Sequence, residues 1–325
     1  MSVPPFSDAT TKYDMSSFSG RLRYWCESLN PVLLLENERT LQKSQMLLDR
    51  WKGGDRGRLS DAELWDARRA VEQCVHPTTG EVIPAPYRMS MFLPLNYVLV
   101  PLMMAPSTLT SVPRTFGVQL FNQTFNAAVN YANRSSDKQP LSEIAKAYGA
   151  AVTVACGGSL AATAMLKRLP PGTTVATLIR GTVPFLAVSC AAVVNVACMR
   201  QSEWRAGGQG IRVKDEDGVV RGQSTAAGWD SLTKCGAARV MWNTPCMVLP
   251  TLLMLPLSRI AAIRARPYMT ECALQIVGIT AGVPPALAAF NVVQTIDAAQ
   301  LEPQFQGLTR KDGSPVRQYT YYKGL

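Results

Sequence analysis

The sequence predicts an all-α membrane protein with a soluble, helical N-terminal region. Hydrophobic residues make up 47% of the 325 residues and charged residues only 17%, whereas soluble proteins average about 25% charged residues. The charge is also unevenly distributed, because residues 1–88 are charge-rich and long tracts after Met89 carry almost none. We therefore divide the chain into a polar region 1–88, a transmembrane region 89–293 and a polar C-terminal tail 294–325.

Two short amphipathic helices are predicted in the polar N-terminal region. The first covers about residues 37–51, and the second begins after Ser60, where Glu63 completes a capping box. A turn, His76-Pro-Thr-Thr-Gly-Glu81, follows, because proline fixes one φ and glycine permits a positive one. This turn either gates one mouth of a substrate path through His76 and Glu81 or locks the chain locally.

Five apolar tracts follow, and each approaches the ~20 residues that cross a hydrocarbon core. Prolines interrupt most of them, together with asparagines such as Asn96 and Asn195. Broken helices of this kind coordinate substrates in transporters, whereas a single proline more often makes only a kink. We therefore predict spans of which several are Pro-broken. The predicted spans cover residues 89–107, 145–166, 174–198, 240–257 and 272–293.

A helix predicted over 116–134, between the first two spans, carries a row of carboxamides on one face. A rotation of about 100° per residue places five of them in one stripe. These groups offer hydrogen-bond donors and acceptors without charge, which suits a small polar or zwitterionic molecule. Because unpaired amides are costly in hydrocarbon, the stripe either lies at the membrane surface or faces a protein-lined cavity. It comprises Gln119, Asn122, Asn126, Asn130 and Asn133.

Two further patterns predict structure rather than chemistry. Small residues recur every fourth position in the second span and favour close helix approach. Asp217-Gly218 lies between short β-prone runs, which indicates one extramembrane hairpin between the third and fourth spans. The small-residue edge consists of Ala151, Ala155, Ser159 and Thr163.

Several function classes are not expected from the composition. The net charge of +10 belongs to no recognisable nucleic-acid module, and basic residues instead flank the apolar tracts, where anionic lipids would meet them. With His76 as the one histidine and no Cys-x-x-Cys pair, we expect neither a metal site nor another cofactor. Phosphate-loop and nucleophile motifs are missing, so we do not expect an enzyme.

Several motifs of this chain resemble those of the sideroflexin family. The run from His76 to Glu81 resembles the family's His-Pro-Asp-Thr-Gly-Glu motif, with Thr78 in place of Asp, and residues 122–134 are similar to its Asn-rich signature. A second departure is Ala289-Phe-Asn-Val, where the family has Ala-Leu-Phe-Pro-Gln. Further similar segments are Lys167-Arg-Leu-Pro-Pro, Val183-Pro-Phe-Leu-Ala-Val, Met199-Arg-Gln and Gly210-Ile-Arg-Val.

The resemblance implies a multi-pass carrier of the mitochondrial inner membrane that moves small neutral amino acids. Serine is the best-supported cargo, supplying mitochondrial one-carbon metabolism. A membrane scaffold or assembly factor for the respiratory chain or for iron and haem homeostasis is the alternative. A neutral cargo agrees with the residues themselves, because the candidate path consists of carboxamides. The expected path residues are Asn96, Asn122, Asn126, Asn130 and Asn195.

Overall fold

The structure, a computed structural model, consists of a helical bundle and one small antiparallel sheet. It describes the whole chain except residues 1, 2, 9, 56–58, 77–79, 133–140, 169, 171, 172, 324 and 325.

Three helices form the N-terminal region: α1 (Phe18–Ser28), α2 (Glu38–Lys52) and α3 (Asp61–Cys74). The two predicted amphipathic helices, α2 and α3, are confirmed, and each begins with a closed capping box, at Asn37 and at Ser60. Helix α1 was not among the predicted elements. Its N-cap, Ser17, satisfies one of the free backbone amides at its first turn.

Ten helices make up the rest of the helical part of the described chain. The longest ones run beside their neighbours in sequence, as expected for helices joined by short connections. In chain order they are α4 (Phe92–Met104), α5 (Pro106–Leu109), α6 (Val112–Ala132), α7 (Leu141–Leu166), α8 (Thr174–Met199), α9 (Gln201–Trp204), α10 (Thr225–Asn243), α11 (Leu249–Leu257), α12 (Ala261–Ala265) and α13 (Pro267–Ala288).

Four stretches of the described chain are long and apolar enough to cross a membrane. The first predicted span, 89–107, is not among them, and its main helix is the 13-residue α4, which is about 20 Å long against a hydrocarbon core of about 30 Å. It ends because Ala105 adopts an extended backbone before Pro106, the conformation that a following proline favours. The four long stretches are Ala145–Met165, Thr182–Met199, Thr225–Leu257 and Pro267–Ala288.

The last two predicted spans have different limits in the structure. The span predicted over 240–257 is the second half of a longer stretch, Thr225–Leu257. The span predicted over 272–293 begins five residues earlier, because Pro267 occupies the first turn, where its missing N–H costs nothing. It also ends earlier, at Ala288, since the chain enters a strand at Val293.

The helices are more continuous than their prolines predict. Helices α4, α8 and α13 run through Pro101, Pro184 and Pro284 without a break. A proline removes one backbone hydrogen bond, and the neighbouring helices hold the remaining turns in place. The irregular segment is Thr244–Val248, a π turn that contains Pro245 and joins α10 to α11.

A four-stranded antiparallel sheet lies outside the bundle. Its strands are β1 (Ile211–Lys214), β2 (Val220–Ser224), β3 (Val293–Asp297) and β4 (Gln318–Tyr322), in the order β2-β1-β4-β3. The predicted hairpin is confirmed as β1 and β2. Residues 294–325, expected as a polar tail, contribute the other two strands and pack Phe305 and Tyr319 beneath the sheet. The last strand, β4, therefore lies inside the sheet and joins β1 to β3.

The N-terminal region is fixed to the end of α13. The Arg21 guanidinium donates from Nε to the Ala288 carbonyl at 2.8 Å, and its Nη1 donates to the Met15 and Ser16 carbonyls. A cation at a helix C-terminus is favourable because the last carbonyls lack partners there. Trp25, one turn further along α1, is buried in the main core of the bundle.

Candidate functional site

The polar face of α6 points into the protein. Thr115, Gln119, Asn122 and Gln123 are all buried, at 2%, 3%, 7% and 2% exposure. Gln119 and Asn122, the first two members of the predicted stripe, are therefore covered by protein, whereas Asn126 is half-buried. The same helix also exposes four large apolar or aromatic side chains, together with Arg114 and Thr124. The four exposed apolar or aromatic side chains are Val112, Phe116, Phe121 and Tyr131.

Helix α7 covers this face, and it approaches closely because its own edge is small. The Thr115 and Thr163 hydroxyl oxygens lie 3.2 Å apart, and those of Thr124 and Tyr148 lie 2.9 Å apart. These two contacts make α6 and α7 antiparallel. The predicted small-residue edge is confirmed as a packing surface. Its members Ala151, Ala155, Ser159 and Thr163 are all 2% exposed or less.

Two polar atoms at this interface have no hydrogen-bond partner among the described residues. They are Gln119 Oε1 and Ser159 Oγ. Gln119 lies one turn after Thr115 on α6, and Ser159 lies one turn before Thr163 on α7. In an antiparallel pair both therefore fall at the same level of the interface. An uncharged pair of this kind can accept from and donate to a small ligand.

The stripe continues toward the end of α6 with partly satisfied amides. The Asn126 amide donates to the Asn122 side-chain oxygen at 3.3 Å. Gln123 belongs to the same buried face, and sequence reasoning missed it although it lies four residues after Gln119. The side chain of Asn130 and the whole of Asn133 lie outside the described part of the structure.

Asn195 lies at a similar depth on another helix that packs against α7. Asn195 is 4% exposed. Helices α7 and α8 are in close contact at Gly158 and Ala187, where a Cβ on Gly158 would be 2.8 Å from that of Ala187. Asn195 lies eight residues after Ala187. Because α7 and α8 are antiparallel neighbours, Asn195 falls near the level of Ala150. Tyr148, which contacts the middle of α6, marks nearly the same depth.

Asn96 is used differently from the α6 amides. Its side-chain nitrogen donates at 2.7 Å to the Phe92 carbonyl in its own helix. This bond satisfies part of the side chain locally, as asparagine does when it competes for backbone groups. The structure thus places Asn96 on α4 as a partly buried residue tied to its helix.

The predicted turn after α3 is held by its backbone. The Glu81 carbonyl accepts from the His76 amide at 2.8 Å, and the His76 carbonyl accepts from the Gly80 amide at 2.9 Å. Gly80 has φ of +72°, which glycine adopts without strain. His76 is buried and Glu81 is exposed. Thr78, the departure from the family motif, lies outside the described residues.

Arg88 fastens this turn to the N-terminal region. Its guanidinium is buried and donates to three backbone carbonyls, those of Ile83, Leu33 and Glu36, at 2.8–2.9 Å. The bonds link the segment after the turn to the chain between α1 and α2. This construction favours a structural lock, since it leaves the turn little freedom to open.

Helix α13 carries two buried polar residues that sequence reasoning missed. Glu271 is 6% exposed and Gln275, one turn later, is fully buried. Both side-chain polar atoms of Gln275 lack a hydrogen-bond partner among the described residues. The sequence does contain a signal for them, because a charged and an amide side chain lie four residues apart in an otherwise apolar helix. The span predicted to begin at residue 272 left Glu271 just outside.

No group of three or more His, Cys, Asp or Glu side chains suited to a metal ion occurs in the described part of the chain. The polar interface between α6 and α7 is also free of charged side chains among the residues named above. Its chemistry is that of carboxamides and hydroxyls. Such groups can form hydrogen bonds with neutral polar groups and with both ends of a zwitterion.

A helical bundle with four membrane-crossing stretches and a polar face buried inside it defines a multi-pass membrane protein. Comparison with known proteins assigns its family. The model of the sideroflexins matches residues 9–325, and this chain therefore belongs to the sideroflexin family. No solved structure matches it.

Its relatives match over nearly their full length. The chain is 33% identical to a sideroflexin of Dictyostelium discoideum over 100% of this chain and 99% of that protein. It is 32% identical to Sideroflexin-5 of Homo sapiens, over 99% of this chain and 94% of that protein. It is 31% identical to Sideroflexin-1 of Mus musculus, over 99% of both chains. Because its identities to Sideroflexin-5 and Sideroflexin-1 are almost equal, the comparison assigns the chain to the family and not to one numbered member.

Proposed function

We propose that this sideroflexin is a transporter of small neutral amino acids, above all serine, in the mitochondrial inner membrane. The observation that carries the proposal is the uncharged polar face of α6, buried against α7 with Gln119 Oε1 and Ser159 Oγ unpartnered. Transported serine would supply mitochondrial one-carbon metabolism. In this proposal the protein is a carrier and not an enzyme.

Unpartnered buried polar groups argue for a ligand because they do not favour folding. Each one costs about 1–3 kcal/mol when it loses water without gaining a partner. An amino acid carries an ammonium group, which donates, and a carboxylate, which accepts, and serine adds a hydroxyl that does both. Carboxamides and hydroxyls complement all three groups. A site without net charge also suits a zwitterion, which has none.

Within this proposal, Gln119, Asn122, Asn126 and Ser159 form the central part of the path. Asn130 continues the same helix, and Asn195 lies at a similar depth on α8. Gln275 adds an unpartnered amide on α13. Asn96 contributes less to the path, because its amide nitrogen already donates to a carbonyl within α4. His76 and Glu81 keep the turn after α3 in shape and do not gate the path.

Uptake of labelled serine into proteoliposomes tests the proposal. The purified protein should give saturable uptake that unlabelled serine competes away. Asn122→Leu should reduce this uptake, while Gln42→Leu, at an exposed carboxamide of α2, should leave it unchanged. Equal uptake by the wild type and Asn122→Leu would exclude the stripe as the binding site.

A scaffold role in respiratory-chain assembly or in iron and haem homeostasis is the second candidate. The sheet favours it, because its strands expose Val220, Val293 and Tyr322, which a partner could cover. Purified protein that moves no amino acid, together with reduced respiratory complexes in cells lacking it, would support this role. Robust serine uptake by the purified protein would contradict it as the sole function.

A further inference from the structure

An exposed apolar segment lies between α1 and α2. Residues Pro31–Leu35 form a short 3₁₀ helix, in which Val32 is 60% and Leu35 is 78% exposed. A 3₁₀ helix has three residues per turn, so side chains three positions apart project in the same direction. Leu33, between them, is buried with Leu41 in a core of the N-terminal region. Val32 and Leu35 therefore point together away from that core, and we call them the apolar pair.

The apolar pair is as exposed as side chains of the membrane-crossing helices. Val277 lies in the stretch Pro267–Ala288 and is 62% exposed, which is less than Leu35. Isolated apolar residues are common on the surface of a soluble region. Adjacent ones that continue an apolar surface indicate contact with a membrane or with another protein. The position of the apolar pair in the fold decides between these two.

The 3₁₀ segment is fastened beside the start of α4. Arg88 Nη1 donates to the Leu33 carbonyl, inside the segment, at 2.8 Å. Arg88 precedes the first residue of α4, Phe92, by only four positions. On the other side of the segment, Leu29 is 1% exposed and belongs to the main core of the bundle. The apolar pair is thus held next to the first turn of α4.

The first turn of α4 lies at the end of a membrane-crossing helix. The hydroxyl oxygens of Tyr97 on α4 and Thr280 on α13 are 2.9 Å apart, and the Tyr268 hydroxyl donates to the Pro101 carbonyl at 3.1 Å. These two contacts make α4 and α13 antiparallel. The first residue of α4, five positions before Tyr97, therefore falls near the last turn of α13, where the crossing stretch ends at Ala288. The apolar pair consequently lies at the level of the membrane surface.

The backbone of the 3₁₀ segment suits apolar surroundings. Pro31 has no N–H to satisfy. The Val32 amide donates to the Asn30 side-chain oxygen at 3.0 Å, and the Leu33 amide donates to the Asn30 carbonyl at 3.1 Å. Backbone donors without partners would be costly in lipid, and these first donors of the segment are satisfied within the chain.

Charged residues after the segment limit how far it can enter a membrane. Glu38, Arg39 and Lys43 are exposed and Glu36 is half-buried, and ionised side chains stay out of hydrocarbon. Only the apolar pair can therefore enter, about 5–10 Å into the boundary between headgroups and acyl chains. Two carboxylates and two cations balance each other here, so the contact should not require anionic lipids.

We propose that the apolar pair inserts into the surface of the membrane that the bundle crosses and anchors the N-terminal region there. Through the bond from Arg88 to Leu33, this contact also holds the segment after the His76–Glu81 turn at the membrane surface. The apolar pair is separate from the polar face of α6, so the proposal does not rest on the proposed transport function.

Quenching by nitroxide-labelled lipids tests this contact in the full-length protein. An environment-sensitive fluorescent amino acid, introduced by stop-codon suppression, replaces Leu35 in one variant and Met46 in another. Met46 is the matched control, because it is 61% exposed but lies about 12 Å from the start of α2. In phosphatidylcholine nanodiscs, a nitroxide near the top of the acyl chains should reduce the emission from position 35 at least about twofold. It should leave the emission from position 46 nearly unchanged.

The outcomes separate a lipid contact from a protein contact. No quenching at position 35, or equal quenching at positions 35 and 46, would overturn the proposal. Blue-shifted emission from position 35 without quenching would show that protein covers the apolar pair, which also overturns it. Quenching that appears only when phosphatidylglycerol is added would indicate an electrostatic contact and contradict insertion.

Amide hydrogen exchange in nanodiscs gives a second measurement that needs no fluorescent residue. Leu35→Ser should speed exchange in the 3₁₀ segment and the first turn of α2 at least about threefold, because this part of the chain loses its anchor. Met46→Ser should leave exchange there unchanged. Equal exchange in Leu35→Ser and the wild type would contradict the anchoring role.

Discussion

The sheet layer and the α6–α7 interface differ in how their buried polar groups find partners. Beside the sheet, the buried Asp215 carboxylate accepts from Arg221 at 2.6 Å and from the Val219 amide at 2.8 Å. Glu302 likewise accepts several hydrogen bonds at the start of α10. At the α6–α7 interface, Gln119 and Ser159 each keep a buried polar atom without a partner among the described residues.

This difference separates two uses of polar residues. Satisfied groups specify the local fold and add stability, so their loss should be measured as unfolding at lower temperature. Unsatisfied groups weaken the fold slightly, and in the proposed transporter a ligand supplies their partners. Their loss should be measured in transport and not in stability. The following experiments test that separation, from the largest expected effect to the smallest.

Gln119→Leu and Gln275→Leu should reduce serine uptake most. Each replaces an amide that has an unpartnered buried atom with an apolar side chain of similar size, so the ligand loses a hydrogen bond while packing is kept. We expect uptake to fall about tenfold, equivalent to about 1.4 kcal/mol. The measurement is the initial rate in proteoliposomes at equal protein content.

The same two variants should unfold at the wild-type temperature or above it, since no internal hydrogen bond is lost. A marked fall in the unfolding temperature with unchanged uptake would reverse the interpretation of these amides. They would then be structural residues, and the path would have to lie elsewhere.

Gly278→Ala should destabilise the bundle. A Cβ at Gly278 would clash with the Pro245 carbonyl oxygen, a backbone atom of the π turn that cannot rotate away. Overpacking of this kind costs about 1–3 kcal/mol, to be measured by denaturant unfolding in detergent. Gly157→Ala is the control, because a Cβ there meets nothing within 4 Å. Equal stability of the two variants would contradict the close contact.

Glu302→Ala should destabilise the sheet layer by about 1–2 kcal/mol, the range for losing a helix cap. The Glu302 carboxylate accepts from the Thr225 amide at 2.7 Å and from the Ala226 amide at 3.0 Å, at the positive end of α10. Thermal unfolding in detergent measures the loss. An unchanged unfolding temperature would show that other groups cap α10 equally well.

The contribution of Glu302 should also depend on pH. Burial opposes ionisation, but hydrogen bonds from Ser224 and the α10 amides outweigh it and lower the pKa of Glu302 from 4.5 to about 2. The stabilisation is therefore complete above pH 4.5 and disappears as the pH falls toward 2. Glu302→Gln, which cannot titrate, should lose less stability than the wild type over this interval.

Asn96→Ala should have the smallest effect on uptake. Its amide nitrogen is bonded to the Phe92 carbonyl, so it has less to offer a ligand than Gln119 has. We expect uptake within about twofold of the wild type, and a stability cost of about 0.5–1.5 kcal/mol for the lost hydrogen bond. A tenfold fall in uptake without loss of stability would place Asn96 in the path itself.

Local features of the fold could be predicted from the sequence. The predicted capping box at Ser60 depends on residues three positions apart, and the hairpin depends on Asp217-Gly218. The end of α4 at Ala105 also had a local signal, because the next residue is proline. The span predicted over 89–107 continued past Ala105, because only hydrophobicity set the end of that span.

Long-range features could not be predicted in this way. Strand β4 lies between β1 and β3, and the Thr320 hydroxyl meets the Lys214 carbonyl across a sequence separation of 106 residues. The contact of Arg21 with Ala288 is more distant still. Neither partner has a sequence feature that specifies the other, because pairing is decided by where the intervening helices turn the chain.

By itself, the sequence determined that the carboxamides of α6 share one face, because helical periodicity fixes the direction of each side chain. It also determined that Ala151, Ala155 and Ser159 form a narrow edge. Only the tertiary structure decided that these two surfaces meet, so that protein covers Gln119 and Asn122. The physical reason is packing: an edge of small side chains lets α7 approach α6 closely enough to exclude solvent while leaving Gln119 Oε1 and Ser159 Oγ without partners.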